Sequence, residues 1–130
     1  MKNILFVAAI LGAVAVILGA FGAHSLAALI SSDRLQTYQL GVTYQYYHVL
    51  AMLAVGLIQR FNTKSLPLLA WAGTSFFIGI LLFSGSLYLL ALRDLLEIDD
   101  YKAFYGPLTP IGGLFFIVGW VLLAISVAKK

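Results

Sequence analysis

ILFVAAILGAVAVILGAFGAHS, residues 4 to 25, runs for twenty residues without a charge before it reaches His24. An apolar run of about 18 or more residues crosses a hydrocarbon core of roughly 30 Å as a helix, so this stretch reads as a membrane span. Three more charge-free runs follow, Leu40 to Ile58, Leu66 to Leu92 and Ala103 to Ala128. The expected fold is therefore all-α, an integral membrane four-helix bundle. Residues 1-130 form one transmembrane domain, with spans at about 4-23, 40-59, 66-92 and 108-128.

Composition agrees with the runs. Roughly a quarter of the residues of a soluble domain are charged; here the share is 10%, with 62% hydrophobic residues and a mean hydropathy of +1.01. The spans use most of the chain and leave no separate catalytic domain. The absence of cysteine excludes disulfides, thiolate metal sites and a thiol nucleophile. The formal charge of +3 is no nucleic-acid footprint, because the basic residues stand singly or in pairs beside apolar runs and form no stripe.

The opening also imitates a secretory signal, with Lys2 ahead of the apolar run and Phe21-Gly22-Ala23 as small-residue boundary. A signal core is roughly 7 to 15 residues long, and this run is longer and is followed by three more spans. An uncleaved first helix is expected. With the N-terminus inside, Lys2, Arg60, Lys64, Lys129 and Lys130 fall on the cytoplasmic side, and Arg34, Arg93 and Lys102 fall outside. Both termini are thus expected in the cytoplasm of a multi-pass plasma (inner) membrane protein. All five acids, Asp33, Asp94, Glu97, Asp99 and Asp100, then lie outside. Tyr38, Tyr44, Tyr46, Tyr47, Tyr88, Tyr101 and Tyr105 would form an aromatic belt at that boundary.

Local signals mark helix ends. Asp33, Ser65 and Thr109 are candidate caps, the last two ahead of Pro67 and Pro110. Asp33 to Gln59 reads as one long helix whose first turns, or a bend at Gly41, lie in the outer headgroup region. RDLLEIDDYKAFYG, residues 93 to 106, is an acidic outer connection with room for a short interfacial helix. No convincing internal repeat supports an inverted-repeat transporter.

Helix association in lipid needs close backbone approach through small residues. Ala8, Gly12, Ala15, Gly19 and Gly22 share one face of the first span. Ser75, Gly79 and Ser86 mark the third, and Gly112, Gly119 and Ser126 the fourth. These are expected to be packing seams within the chain, with a homo-oligomer interface as the alternative.

The polar residues converge on the outer half. Gln45 and His48 share a face of the second span with Gly41, roughly 5 to 10 Å below the outer boundary, flanked by Tyr44 and Tyr47. His24 ends the first span on that side, Ser84, Ser86 and Tyr88 occupy the third, and Thr109 with Gly112 and Gly113 opens the fourth. An ionisable residue inside a span is by default a functional hypothesis, although a neutral imidazole also serves as interhelical glue. His24 and His48 are expected within roughly 10 Å of each other, in one outer-half cluster. Two histidines without a third ligand make a weak metal signal, so neither metal nor cofactor is expected. Ser84-Gly85-Ser86 is no nucleophile elbow, and residues 18 to 24 lack the lysine and the preceding strand of a phosphate loop.

Four motifs together carry a family likeness. LGAFGAH (18–24), GVTYQYYH (41–48), LFSGSLYLLAL (82–92) and TPIGGLFFIVGW (109–120) resemble the YgdD/YwdK family of small bacterial inner-membrane proteins, described as uncharacterised. The likeness covers all four spans in order. It implies a four-helix membrane protein and draws attention to Gly19, Gly22, His24, Tyr44, Gln45, His48, Ser84, Gly85, Ser86, Tyr88, Thr109, Pro110 and Gly113. It implies no activity or cofactor.

The leading reading is a non-enzymatic bundle whose outer-half pocket, formed by His24, Tyr44, Gln45, His48, Ser84, Ser86, Tyr88 and Thr109, binds a small polar molecule, a lipid headgroup or a partner helix. The alternative is a small oligomeric channel or transporter with His48 as its proton-sensitive group. A continuous pathway needs polar residues through the inner half as well, and they are scarce there.

Overall fold

The computed structural model describes residues 2–64 and 66–129. Ser65 as a cap, and Lys130 as a cytoplasmic cation, lie outside the described residues. Four long helices follow one another: α1 (Ile4–His24), α2 (Ser32–Phe61), α3 (Pro67–Leu92) and α4 (Leu108–Ala128). Each is long and apolar enough to cross a membrane. The protein is an all-α, four-helix integral membrane protein.

The helices run up and down. Gly22 of α1 meets Tyr38 of α2, and Leu5 meets Gly56; Gly41 meets Tyr88 of α3, and Val55 approaches Gly73; Phe83 meets Gly112 of α4, and Phe76 meets Gly119. Each pair is therefore antiparallel. The close neighbours are α1 with α2, α2 with α3 and α3 with α4. The middle pair is the more buried, while α1 and α4 flank it and expose most of their surface. One end of the molecule, the terminal end, holds residue 2, residues 62–64 and 66, and residue 129. The other, the connector end, holds the 25–31 and 93–107 connections.

Small residues set these approaches. Ala8 and Ala15 are fully buried, Gly12 and Gly19 lie in ordinary contact with Val49 and Val42, and Gly22 lies under the Tyr38 ring. Between α3 and α4 the fit is reciprocal, with Phe116 seated over Gly79 and Phe76 over Gly119. Gly112 meets backbone: a Cβ there would stand 2.8 Å from the Phe83 Cα. That contact falls at a π turn, Ile80–Ser84, within α3.

Two helix starts differ from the sequence expectation. Ser31, not Asp33, caps α2, its hydroxyl accepting from the Arg34 N–H at 3.4 Å, and Asp33 sits in the first turn, where its charge favours the helix dipole. α4 begins at Leu108, ahead of Thr109, and Pro110 takes the third position, where a backbone N–H would still lack an intrahelical acceptor. α2 is continuous from Ser32 and so overshoots the apolar span. At the connector end Arg34 pairs with Asp94, and Arg93 pairs with Asp99 at 3.0 Å. The acidic connection coils through Asp99–Tyr101 into a short helix, Lys102–Tyr105.

Candidate functional site

Inside hydrocarbon a hydroxyl or amide without a partner costs several kcal/mol, so the polar side chains of the spans must find acceptors. Helix carbonyls supply most of them. Ser84, brought round by the π turn, donates to the Gly41 carbonyl of α2 at 2.7 Å. Ser86 donates to its own helix at Phe83 (2.9 Å) and stands 2.5 Å from the Thr109 hydroxyl of α4. The Tyr88 hydroxyl donates to Gln45 Oε1 at 2.6 Å, while Gln45 Nε2 donates to the Leu11 carbonyl of α1 at 2.8 Å. Gln45 thus joins three helices. Tyr38, the first buried ring of α2, donates to the Leu18 carbonyl at 2.5 Å.

Five of the expected site residues, Gln45, Ser84, Ser86, Tyr88 and Thr109, are thereby engaged in polar bonds between the helices, with Ser84 reaching the α2 backbone at Gly41. It is a set of mutual bonds, not an open polar cavity.

The histidines part company. His24 is exposed at the end of α1. His48 is buried near the middle of α2, roughly 24 Å from Ser32 and about 20 Å from Phe61 at 1.5 Å per residue, much deeper than the expected 5 to 10 Å. Gly12 lies against Val49, so His48 is level with the neighbourhood of Gly12, and His24 stands roughly 18 Å further along α1. The expected approach within 10 Å does not occur. The level of α2 is set by its neighbours, with Tyr38 against Gly22 near the end of α1 and Val49 against Gly12, so a depth counted from Leu40 brings His48 too near the boundary. Tyr44, Tyr46 and Tyr47 lie on α2 between Val42 and Val49, beside the Gly12 to Gly19 stretch of α1, and not at a helix end where an interfacial belt would sit.

His48 instead belongs to an aromatic cluster. Its Nδ1 lies 2.7 Å from the Tyr44 carbonyl and its Nε2 3.1 Å from the Trp120 indole nitrogen. An indole N–H only donates, so Nε2 accepts, the ring proton sits on Nδ1 and points at the carbonyl, and the imidazole is neutral. The ring stacks on Phe116 at 3.5 Å between centroids and 7° between planes. Tyr44 packs on Phe83 at 4.7 Å, and Phe76 meets Trp120 edge-on at 5.1 Å. Phe116 and Trp120 went unnoticed as site residues in the sequence. Their signal was there: a tryptophan deep in a span needs an acceptor, and it stands four residues from Phe116 on one helix face.

These rings wall a cavity of about 720 Å³ between α2 and α4, open to the outside of the bundle, with Tyr44, Tyr47, Phe83, Phe116 and Trp120 as walls and Gly113 at its edge. The two helices do not pack closely there; rings span the gap. Among the described residues no three His, Asp or Glu side chains gather as metal ligands.

The whole chain has relatives. A family model described as a protein of unknown function, DUF423, matches residues 18–113. The chain belongs to the DUF423 family. A UPF0382 membrane protein of Staphylococcus saprophyticus is 43% identical over 99% of this chain and 99% of its own length. One of Staphylococcus aureus is 42% identical over 99% and 98%. The UPF0382 membrane protein YwdK of Bacillus subtilis is 36% identical over the same shares, so this DUF423 protein carries the likeness to YwdK along its whole length. No solved structure matches it.

Proposed function

We propose that this DUF423 protein is a non-enzymatic, multi-pass plasma-membrane protein that holds the hydrocarbon chain of a bilayer lipid in the aromatic groove between α2 and α4, with both termini cytoplasmic. The groove itself carries the reading. It is concave, almost wholly apolar, lined by rigid rings and placed at mid-span, where the surrounding solvent is acyl chain. A small polar ligand is disfavoured, since the amide and hydroxyl groups that would receive it are already bonded to one another and to helix carbonyls.

A channel is disfavoured too. The polar lattice stops at mid-span, and toward the terminal end the core is Met52, Val55, Leu69 and Ala72. Chemistry finds little purchase, because both ring nitrogens of His48 are engaged and the buried serines donate to carbonyls.

The experiment uses phosphatidylcholine with a diazirine at the middle of one acyl chain, reconstituted with the protein and photolysed. Labelling is expected to concentrate on Tyr47, Leu114 and Trp120. Gly113→Leu, whose Cβ meets only the Phe83 ring at 3.8 Å, fills the groove and removes that labelling; Gly85→Ala, with nothing within 4 Å, leaves it intact. Labelling spread evenly over exposed α1 residues such as Phe6 and Ile17, or indifferent to Gly113→Leu, would overturn the reading.

A further inference from the structure

The terminal end gathers cations without acids. Lys2, Arg60, Lys64 and Lys129 stand there, while every carboxylate side chain of the sequence belongs to the connector end. Asp33 shares α2 with Arg60 and is roughly 40 Å away. At the connector end the cations have carboxylate partners, Arg34 at Asp94, and Arg93 and Lys102 sharing Asp99. No such pair forms at the terminal end among the described residues.

Two of these cations flank a cavity. Ile4 and Leu5 cross α2 at Gly56, where a Cβ would stand 2.5 Å from Leu5 Cδ2, and this approach sets Lys2 and Asn3 beside Gln59 and Arg60. The space between them is about 420 Å³, lined by the polar Lys2, Asn3, Gln59 and Arg60 together with the apolar Leu5 and Phe6. It lies at the depth where a span leaves hydrocarbon for headgroups.

We infer that this cavity binds the phosphodiester headgroup of an anionic phospholipid. The Arg60 guanidinium offers a fork of N–H donors matched to two phosphate oxygens, and the Lys2 ammonium adds a second positive charge. The Asn3 side chain, which makes no capping bond to α1, and the Gln59 amide supply neutral donors for ester or glycerol oxygens. Leu5 and Phe6 receive the first methylenes of the acyl chains. A free phosphate ion shares the anionic chemistry and lacks the chains, which separates the two sources. The site is independent of the mid-span groove.

The test titrates purified protein in dodecylmaltoside with dioleoylphosphatidylglycerol, dioleoylphosphatidylcholine or glycerol phosphate, and counts bound molecules by native mass spectrometry. Phosphatidylglycerol should be retained in preference to phosphatidylcholine. Each cation near a lipid surface contributes roughly fivefold, so Lys2→Gln and Arg60→Gln should each weaken phosphatidylglycerol binding by about that factor and together by roughly thirtyfold. Phosphatidylcholine, whose phosphate is offset by its own choline cation, should weaken by a smaller factor, so that the preference for phosphatidylglycerol shrinks, and Lys102→Gln at the other end should change neither. Arg60→Lys, which keeps the charge and loses the fork, should fall between wild type and Arg60→Gln. Lys2 precedes α1, so its substitution leaves the bundle folded and keeps the test decisive. A double variant with an undiminished preference for phosphatidylglycerol, a Lys102→Gln effect of equal size, or displacement of the lipid by equimolar glycerol phosphate would overturn the inference.

Discussion

The Trp120 indole N–H donates to His48 Nε2 across the gap between α2 and α4, at 3.1 Å, and the two rings meet nearly edge-on at 6.0 Å. Among the described residues neither atom has another hydrogen-bond partner, so each satisfies the other inside hydrocarbon. Replacing one strands its partner. His48→Phe and Trp120→Phe should each destabilise the bundle by about 1 to 3 kcal/mol, the penalty of an unpaired buried polar group. The double variant should cost less than the sum of the two, with a coupling of about 0.6 to 2 kcal/mol. Unfolding equilibria of the four proteins in mixed micelles give that number. Strict additivity would mean that the bond adds nothing.

Glycine substitutions should separate by what each new methyl group meets. At Gly112 it meets the Phe83 backbone, which cannot yield, and Gly112→Ala should force α3 and α4 apart at the π turn. At Gly12 it meets a Val49 methyl at 3.4 Å, a contact that a small shift of α1 relieves. The expected cost is about 1 to 3 kcal/mol for Gly112→Ala and near zero for Gly12→Ala, read from the same unfolding equilibria. Equal effects would remove the distinction between packing on backbone and packing on side chain.

The four helices were legible because span length and charge spacing are one-dimensional properties, and both survive folding unchanged. Depth was not. His48 was placed near a boundary by counting depth from Leu40, the start of the expected span, whereas the level of α2 is fixed by its neighbours, through Gly22 under Tyr38 and Gly56 under Leu5. The polar residues Gln45, Ser84, Ser86, Tyr88 and Thr109 were legible as a group, because polar atoms in a span must converge. What they converge on was not legible, since a carbonyl such as that of Leu11 or Gly41 has no mark in the sequence. Trp120 and Phe116 were legible only in part: an indole N–H in a span calls for an acceptor, but nothing in the sequence says that His48 of α2 supplies it.

Orientation can be read with single cysteines in this cysteine-free chain. With Lys2, Arg60, Lys64 and Lys129 at the terminal end and every Asp and Glu of the sequence at the other, Lys64→Cys should be shielded from an impermeant thiol reagent in intact cells, and Asp99→Cys should be labelled. Both positions are exposed, so the reagent's side decides the outcome. The reverse pattern would put the termini outside.

The two tryptophans should report different depths. Trp71 is the fifth residue of α3, roughly 6 Å from its start at the terminal end, and its exposed ring is placed to anchor at the interface. Trp120 stands roughly 18 Å along α4 from Leu108 and about 12 Å from Ala128, a depth at which an indole N–H is tolerated only because His48 accepts from it. Trp71→Phe leaves Trp120 as the sole indole, and Trp120→Phe leaves Trp71. In vesicles of lipids brominated at successive chain positions, the first variant should be quenched most by bromines deep in the chain and the second by those near the glycerol. Adding His48→Phe to the Trp71→Phe protein removes the acceptor, and the freed indole should move toward the interface and lose part of its quenching by deep bromines. If both tryptophans share one quenching depth, α4 does not cross the bilayer at the level its contacts with α3 set, and the mid-span groove loses its position.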